Sequence, residues 1–145
     1  MKKLLVTGGA GFIGANFIQK ALRERSDIER LVNLDLLTYA GNLENLLPVR
    51  EDDRYTFVHG DVRDRALVGA LFSRYDFDTV VHFAAESHVD RSIVEPALFL
   101  STNVLGTQTL LDAAMARWKI APDDKYSREY REGEVYLQVS CLLYT

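Results

Sequence analysis

The chain has 145 residues, with 17 Lys and Arg against 21 Asp and Glu, giving a formal net charge of −4. Its 48% apolar and 26% charged residues exclude a disordered chain or a fibre and suit one globular domain with its own core. No apolar run approaches the roughly 20 residues of a membrane span, and the mild acidity argues against nucleic acid as the main partner. The Met1-Lys2-Lys3-Leu4-Leu5-Val6 start imitates a secretory signal, but the apolar stretch stops at Thr7-Gly8-Gly9, too short for an h-region. A single cysteine, Cys141, cannot form an internal disulfide, so a cytoplasmic setting is expected.

Short β-rich runs alternate with longer helical stretches, the pattern of an α/β protein built on a parallel sheet. Leu4-Leu5-Val6 predicts a first strand, unbroken by polar residues as a strand covered on both faces should be. Ile13, Phe17 and Ala21, with Ile18 and Leu22 beside them, predict a helix from about Phe12 to Arg25. Leu31 to Leu34 read as a second strand ending at Asp35, and Asn42 to Leu47 as a short helix stopped near Pro48. Tyr55 to Val58 is a third strand, Leu67, Ala70, Leu71 and Tyr75 mark the next helix, and Thr79 to Phe83 is a fourth strand. A long helix is expected from near Pro96 to Trp118, with Leu111, Ala114, Met115 and Trp118 on one face. Lys119 to Glu134, with four basic and five acidic residues, reads as an exposed loop before a fifth strand from Val135 to Val139. Five strands separated by helices predict a doubly wound, Rossmann-type sheet of order 3-2-1-4-5. Its ligand crevice would lie at the strand carboxyl ends between the first and fourth strands.

Where the first strand hands over to the first helix, Thr7-Gly8-Gly9-Ala10-Gly11-Phe12-Ile13-Gly14 satisfies G-x-x-G-x-x-G through Gly8, Gly11 and Gly14, and G-x-G-x-x-G through Gly9, Gly11 and Gly14. Such a turn lets backbone approach a pyrophosphate closely and aims a helix N-terminus at it. No Lys-Ser or Lys-Thr follows Gly14, which disfavours a mononucleotide P-loop. Asp35, roughly 20 residues further on, can accept the ribose hydroxyls of an adenosine and repels a 2′-phosphate, favouring NAD over NADP. Asp61, before Val62 at the end of the third strand, could accept from an adenine amino group, or could serve a turn or a helix cap. Phe83-Ala84-Ala85 ends the fourth strand, where two small residues leave room for a flat cofactor. His59, His82 and His88 lack metal-ligand spacing, so no metal site is expected.

Thr7 to Gly14, Asp35-Leu36-Leu37-Thr38-Tyr39-Ala40-Gly41-Asn42, His82 to Ser92 (His-Phe-Ala-Ala-Glu-Ser-His-Val-Asp-Arg-Ser) and Asn103 to Gly106 resemble the dTDP-glucose 4,6-dehydratases, members of the extended short-chain dehydrogenases. The resemblance implies a nucleotide-sugar lyase with tightly held NAD, in which C4 of a hexose is oxidised, water leaves across C5 and C6, and hydride returns to C6. By position, it puts the backbone of Phe12 and Ile13 near the pyrophosphate and Asp35, Leu36, Leu37 and Thr38 at the adenosine ribose. It puts Asp61 and Val62 at the adenine, and Phe83, Ala84, Ala85, Glu86, Ser87 and Thr102 along the cofactor. Ser87 also faces the sugar, and His88 is a candidate for the substrate pocket, with Asp90 and Arg91 as a possible structural pair. The family also implies a homodimer formed through the long helix. Within enzymes the rival is a nucleotide-sugar 4-epimerase of the same superfamily; outside them, a non-catalytic NAD-binding module.

The resemblance weakens after the fifth strand. The family pattern there is Ser-Thr-Asp-Glu-Val-Tyr-Gly, followed later by Tyr-x-x-x-Lys. Here Val139-Ser140 is followed by Cys141-Leu142-Leu143-Tyr144-Thr145, and no Tyr-x-x-x-Lys occurs. The expectation is an incomplete NAD-binding domain over residues 1–140 with an out-of-pattern tail over 141–145, as in a truncated or misjoined reading frame. Such a chain lacks the catalytic residues and the substrate domain, and is inactive by itself.

Overall fold

The computed structural model describes residues 2–121, 123–124 and 126–139; the tail expected over 141–145, with Cys141, lies outside them. Five parallel strands, β1 (Lys2–Thr7), β2 (Ile28–Asp35), β3 (Tyr55–His59), β4 (Thr79–His82) and β5 (Val135–Gln138), form one sheet of order β3-β2-β1-β4-β5. This is the doubly wound order that the sequence predicts. β1 lies at the centre, with Leu5 registered against Val32 on one side and Val80 on the other. The crossovers carry the helices α1 (Phe12–Glu24), α2 (Arg65–Tyr75), α3 (Val89–Val94), α4 (Pro96–Phe99) and α5 (Thr107–Trp118).

Period-two alternation along the strands sends side chains into two cores, one on each face of the sheet. Leu5, Val32, Leu34 and Val80 meet Val68, Leu71 and Phe72 of α2 and Leu110, Ala114 and Trp118 of α5. Leu4, Val6, Leu31 and Val81 meet Ala15, Ile18 and Leu22 of α1 on the other face. Asp64 caps α2 by accepting from Leu67 N–H at 3.0 Å, and Asp76 ends that helix in the left-handed conformation. The Trp118 indole N–H donates to the Phe77 carbonyl at 2.7 Å, which satisfies the one polar atom of an otherwise apolar plug.

Several boundaries and faces differ from the sequence reading. In α1 the buried stripe is Gly14, Ala15, Ile18 and Leu22; Ile13 and Phe12 stand exposed because the first turn of the helix borders a cleft rather than the core. In α5 the inward stripe is Leu110, Ala114 and Trp118, one position round from the expected Leu111 and Met115, both of which face outward. The long helix from Pro96 to Trp118 exists as a helical path, but Leu100–Gly106 within it is π-helical. The short helix is a 3₁₀ turn, Leu43–Val49, that runs through Pro48; a φ fixed near about −65° suits that geometry. The charged loop before β5 carries no helix or strand among its described residues. It is pinned by a bridge between Lys119 and Tyr130 and by Arg131, which with Arg117 pairs to Asp76. Among the described residues no helix is long and apolar enough to cross a membrane.

Candidate functional site

At the carboxyl ends of β1, β2 and β4 the chain leaves a cleft of about 620 Å³, within the range of small-molecule sites. Gly8, Gly11, Phe12, Ile13 and Gly14 form its floor. Three glycines of this turn answer to the fold. Gly8 has φ +71°, and a Cβ there would sit 2.6 Å from Ala84 N; one on Gly9 would strike Asn33 and Ile18; one on Gly14 would overlap Gly8 carbonyl and approach Gly9 Cα to 2.7 Å. Gly11 is different. Its backbone is extended (φ −72°, ψ 168°), and a Cβ would meet only the Gly8 carbonyl oxygen at 3.4 Å. No packing reason requires glycine there, so the space beside it, at the uncapped N-terminus of α1, is what a phosphate would fill.

On the β2 side Asp35 is buried, and both carboxylate oxygens already hold the backbone: one accepts from Ala10 N–H, the other from Leu37 N–H, each at 2.8 Å. Each oxygen keeps one further lone-pair position, and the side chain borders the cleft. Leu36 and Thr38 line the cleft as well. Leu37, expected beside them, does not. Its left-handed backbone (φ 55°) turns the side chain into the α1-side core.

Asp61 and Val62 close the far end of the cleft. The Asp61 carboxylate is taken up by Arg63, whose side chain donates through Nε at 2.9 and 3.0 Å and Nη2 at 2.5 Å, while Arg63 N–H donates at 2.8 Å. Burial pushes the Asp61 carboxyl up, but these Arg63 hydrogen bonds together hold it below the ordinary range. Asp61 thus shapes a turn and orients Arg63, which also borders the cleft and reaches Ser101 at 2.8 Å. Val62 is buried against the α2 and α5 core.

On the β4 side Phe83, Ala84, Ala85, Glu86 and Ser87 line the cleft, with Thr102 opposite. This segment is held from beneath by His82, which is fully buried. The Thr107 hydroxyl donates to the Asn103 carbonyl at 2.7 Å, so it accepts from His82 Nε2–H at 3.1 Å. Nδ1 is then the acceptor for the Thr7 hydroxyl at 2.6 Å, and Thr7 Oγ1 in turn accepts from Ala84 N–H at 3.4 Å. Desolvation pushes the His82 imidazole down to about 4, so the ring is neutral at pH 7. Asn103 completes the support: Glu86 N–H donates to its Oδ1 at 2.8 Å, and its Nδ2 donates to the Glu86 carbonyl at 2.9 Å. Both Thr102 and Asn103 lie in the π-helical stretch, a distortion often found at functional sites.

Glu86 Oε2 is buried with no hydrogen-bond partner among the described residues, and lies 3.9 Å from Arg91 Nη1. Arg91 pairs with Glu86 and Glu95 rather than with Asp90. His88 does not line the cleft; it precedes α3, and its ring meets Tyr39 edge-on at 6.3 Å. Arg63, Arg91, Gly60 and Val139 border the cleft without having been singled out as site residues. Arg91 stands in the quoted His82–Ser92 motif, and Arg63 follows an aspartate by two positions, a spacing that could have drawn notice. No group of three His, Cys, Asp or Glu among the described residues could hold a metal ion.

The family model described as GDP-mannose 4,6 dehydratase matches residues 5–128. A dTDP-glucose 4,6-dehydratase of Salmonella typhimurium is 48% identical over 123 residues, 85% of this chain and 34% of the relative. That of Xanthomonas campestris pv. campestris is 50% identical over 140 residues, 97% of this chain and 38% of the relative. The chain thus spans about a third of the length of these relatives. Among solved structures, a dTDP-glucose 4,6-dehydratase of Streptomyces venezuelae with NAD and TYD bound has a TM-score of 0.75 and 51% identity, covering 79% of this chain and 36% of that one. A UDP-glucose 4-epimerase of Thermotoga maritima with UDP-glucose has a TM-score of 0.70 at 30% identity, covering 79% and 34%. The match over residues 5–128, on a sheet of the predicted order with the glycine turn at its switch point, means that the chain belongs to the GDP-mannose 4,6 dehydratase family, where dTDP-glucose 4,6-dehydratases are among its near relatives.

Proposed function

We propose that this chain is the NAD-binding part of an enzyme of the dTDP-glucose 4,6-dehydratase type. The observation that carries the reading is that Gly11, which the packing does not require, lines one cleft with the N-terminus of α1 and with Asp35. Phe12 and Ile13 offer backbone N–H groups to a pyrophosphate, and the helix dipole favours its charge. Asp35 takes the adenosine ribose on its remaining lone pairs, beside Leu36 and Thr38; Leu37 contributes backbone. Val62 and the turn of Asp61 bound the adenine. Phe83, Ala84, Ala85, Glu86, Ser87 and Thr102 flank the remainder, with Ser87 nearest the sugar and His88 behind the rim.

When bound, the dinucleotide supplies a hydride acceptor and donor for oxidation at C4 of a nucleotide-linked hexose and reduction at C6. The part played by this chain is to position it. The identity of 48% and 51% to the Salmonella and Streptomyces dehydratases, against 30% to the Thermotoga epimerase, favours dTDP-glucose over an epimerase substrate. Leu100, Val104, Leu111 and Met115, all exposed, form an apolar stripe along the Pro96–Trp118 helical path that suits a homodimer.

Titration of the 145-residue chain with NAD and with NADP tests the reading. Tighter binding of NAD supports it. Equal affinities, or a preference for NADP, remove Asp35 from the ribose, and absence of binding to either removes the reading itself.

A further inference from the structure

β2 and β4 flank β1, so the segments that leave their carboxyl ends stand on opposite rims of the cleft. Tyr39 and Arg91 meet across it. The left-handed Leu37 throws the chain back on leaving β2, and a tight turn, with Gly41 N–H donating to the Thr38 carbonyl at 3.0 Å, puts Tyr39 at its tip. The base of this turn is tied to the glycine loop by Asn42 N–H on the Ala10 carbonyl at 3.0 Å. From the other rim, the Arg91 guanidinium lies 4.8 Å from the centre of the Tyr39 ring, within cation–π range. His88 meets the same ring edge-on. Arg91 is braced by Glu86 at 3.9 Å and by Glu95 at 3.6 Å.

We propose that Tyr39 and Arg91 form a clasp across the cleft that must open for the dinucleotide to enter or leave. The proposal rests on the NAD reading above. Thr38, Ala40, Gly41 and Arg91 line the cleft, but Tyr39 is not among the lining residues and is 57% exposed. The ring therefore acts on the passage rather than on the ligand. A half-solvated cation–π contact is also weak enough to break and re-form during exchange, unlike a buried ion pair.

Stopped-flow binding of NADH, followed by its fluorescence, separates a gate from a ligand contact. In Tyr39→Ala, association and dissociation should both quicken by about fivefold, with the Kd nearly unchanged. Tyr39→Phe keeps the ring face and should keep both parental rates. Arg91→Gln removes the cation from the other rim and should quicken association as Tyr39→Ala does, so the outcome does not depend on one variant folding. Faster dissociation with unchanged association would mean a direct contact or general loosening and overturns the clasp, as would unchanged rates. Failure of the parent chain to bind NADH overturns the cofactor reading and the clasp together.

Discussion

At the end of β2 the carboxylate that faces the cleft also folds its own loop: Asp35 holds Ala10 and Leu37 N–H and still borders the ligand space. At the end of β4 the cleft-lining segment Phe83–Ser87 is held by residues that lie beneath or beside it, Thr7 from β1, and Asn103 and Thr107 from the far helical path. One rim is built by a site residue, the other by a frame around the site. A substitution of Asp35 therefore cannot alter binding without altering folding, whereas on the β4 side the residues that support the segment are distinct from those that line the cleft.

Ranked by stability, the sharpest break of this contrast is Asp35→Ala. It strands the buried Ala10 N–H and the part-buried Leu37 N–H, both bound to a charge, and should cost about 3 kcal/mol in denaturant unfolding as well as cofactor affinity. Acid is next. The His82 imidazole sits near about 4 when folded, against an ordinary 6.5, so between these values the unfolded chain binds a proton that the folded chain refuses. Stability should accordingly rise with pH across that window. By pH 4 the fold should have lost about 3 kcal/mol relative to pH 7 from this group, and His82→Gln should flatten the dependence. Asn103→Leu removes both hydrogen bonds to the Glu86 peptide and should cost about 2 kcal/mol, with a fall in NAD affinity that Asp35 cannot compensate. Gly11→Val has the smallest expected effect on unfolding, about 1 kcal/mol from a poorer N-cap, because its Cβ meets only the Gly8 carbonyl oxygen, at 3.4 Å. Yet it should abolish NAD binding by filling the approach to the pyrophosphate. Gly14→Ala is the contrast, since its Cβ overlaps the turn; if both variants bound and folded alike, the separation of the two glycines would be wrong.

The contrast between the rims also explains what the sequence revealed. The strand order, the glycine turn and Asp35 were legible because each is a local pattern, a hydrophobic run or a spacing, fixed by chain geometry. Leu37 was misplaced because a left-handed leucine follows from the loop it sits in rather than from its side chain. The supports of the β4 side were invisible for a different reason. His82 is 75 residues from Thr7 and 25 from Thr107, and Asn103 is 17 from the Glu86 peptide it clamps. No periodicity marks such pairs. Nor does it mark the π-helical stretch, which keeps the hydrophobic look of an ordinary helix and carries Thr102, at the cleft, beside Asn103. Of the face expected in α5, Ala114 and Trp118 turn inward while Leu111 and Met115 do not; Leu110 and Leu111 are chemically alike, and only the packing against Phe72 and Phe77 decides which is buried.

The histidine beneath the cleft has a further use. Its ring is shut away from water and fixed in one tautomer by a donor on one side and an acceptor on the other. The hydroxyl proton of Thr7, fully buried and donated to that ring, can therefore exchange with solvent only when the junction of β1, β4 and α5 comes apart. In an NMR spectrum it becomes a clock, counting the openings of that junction.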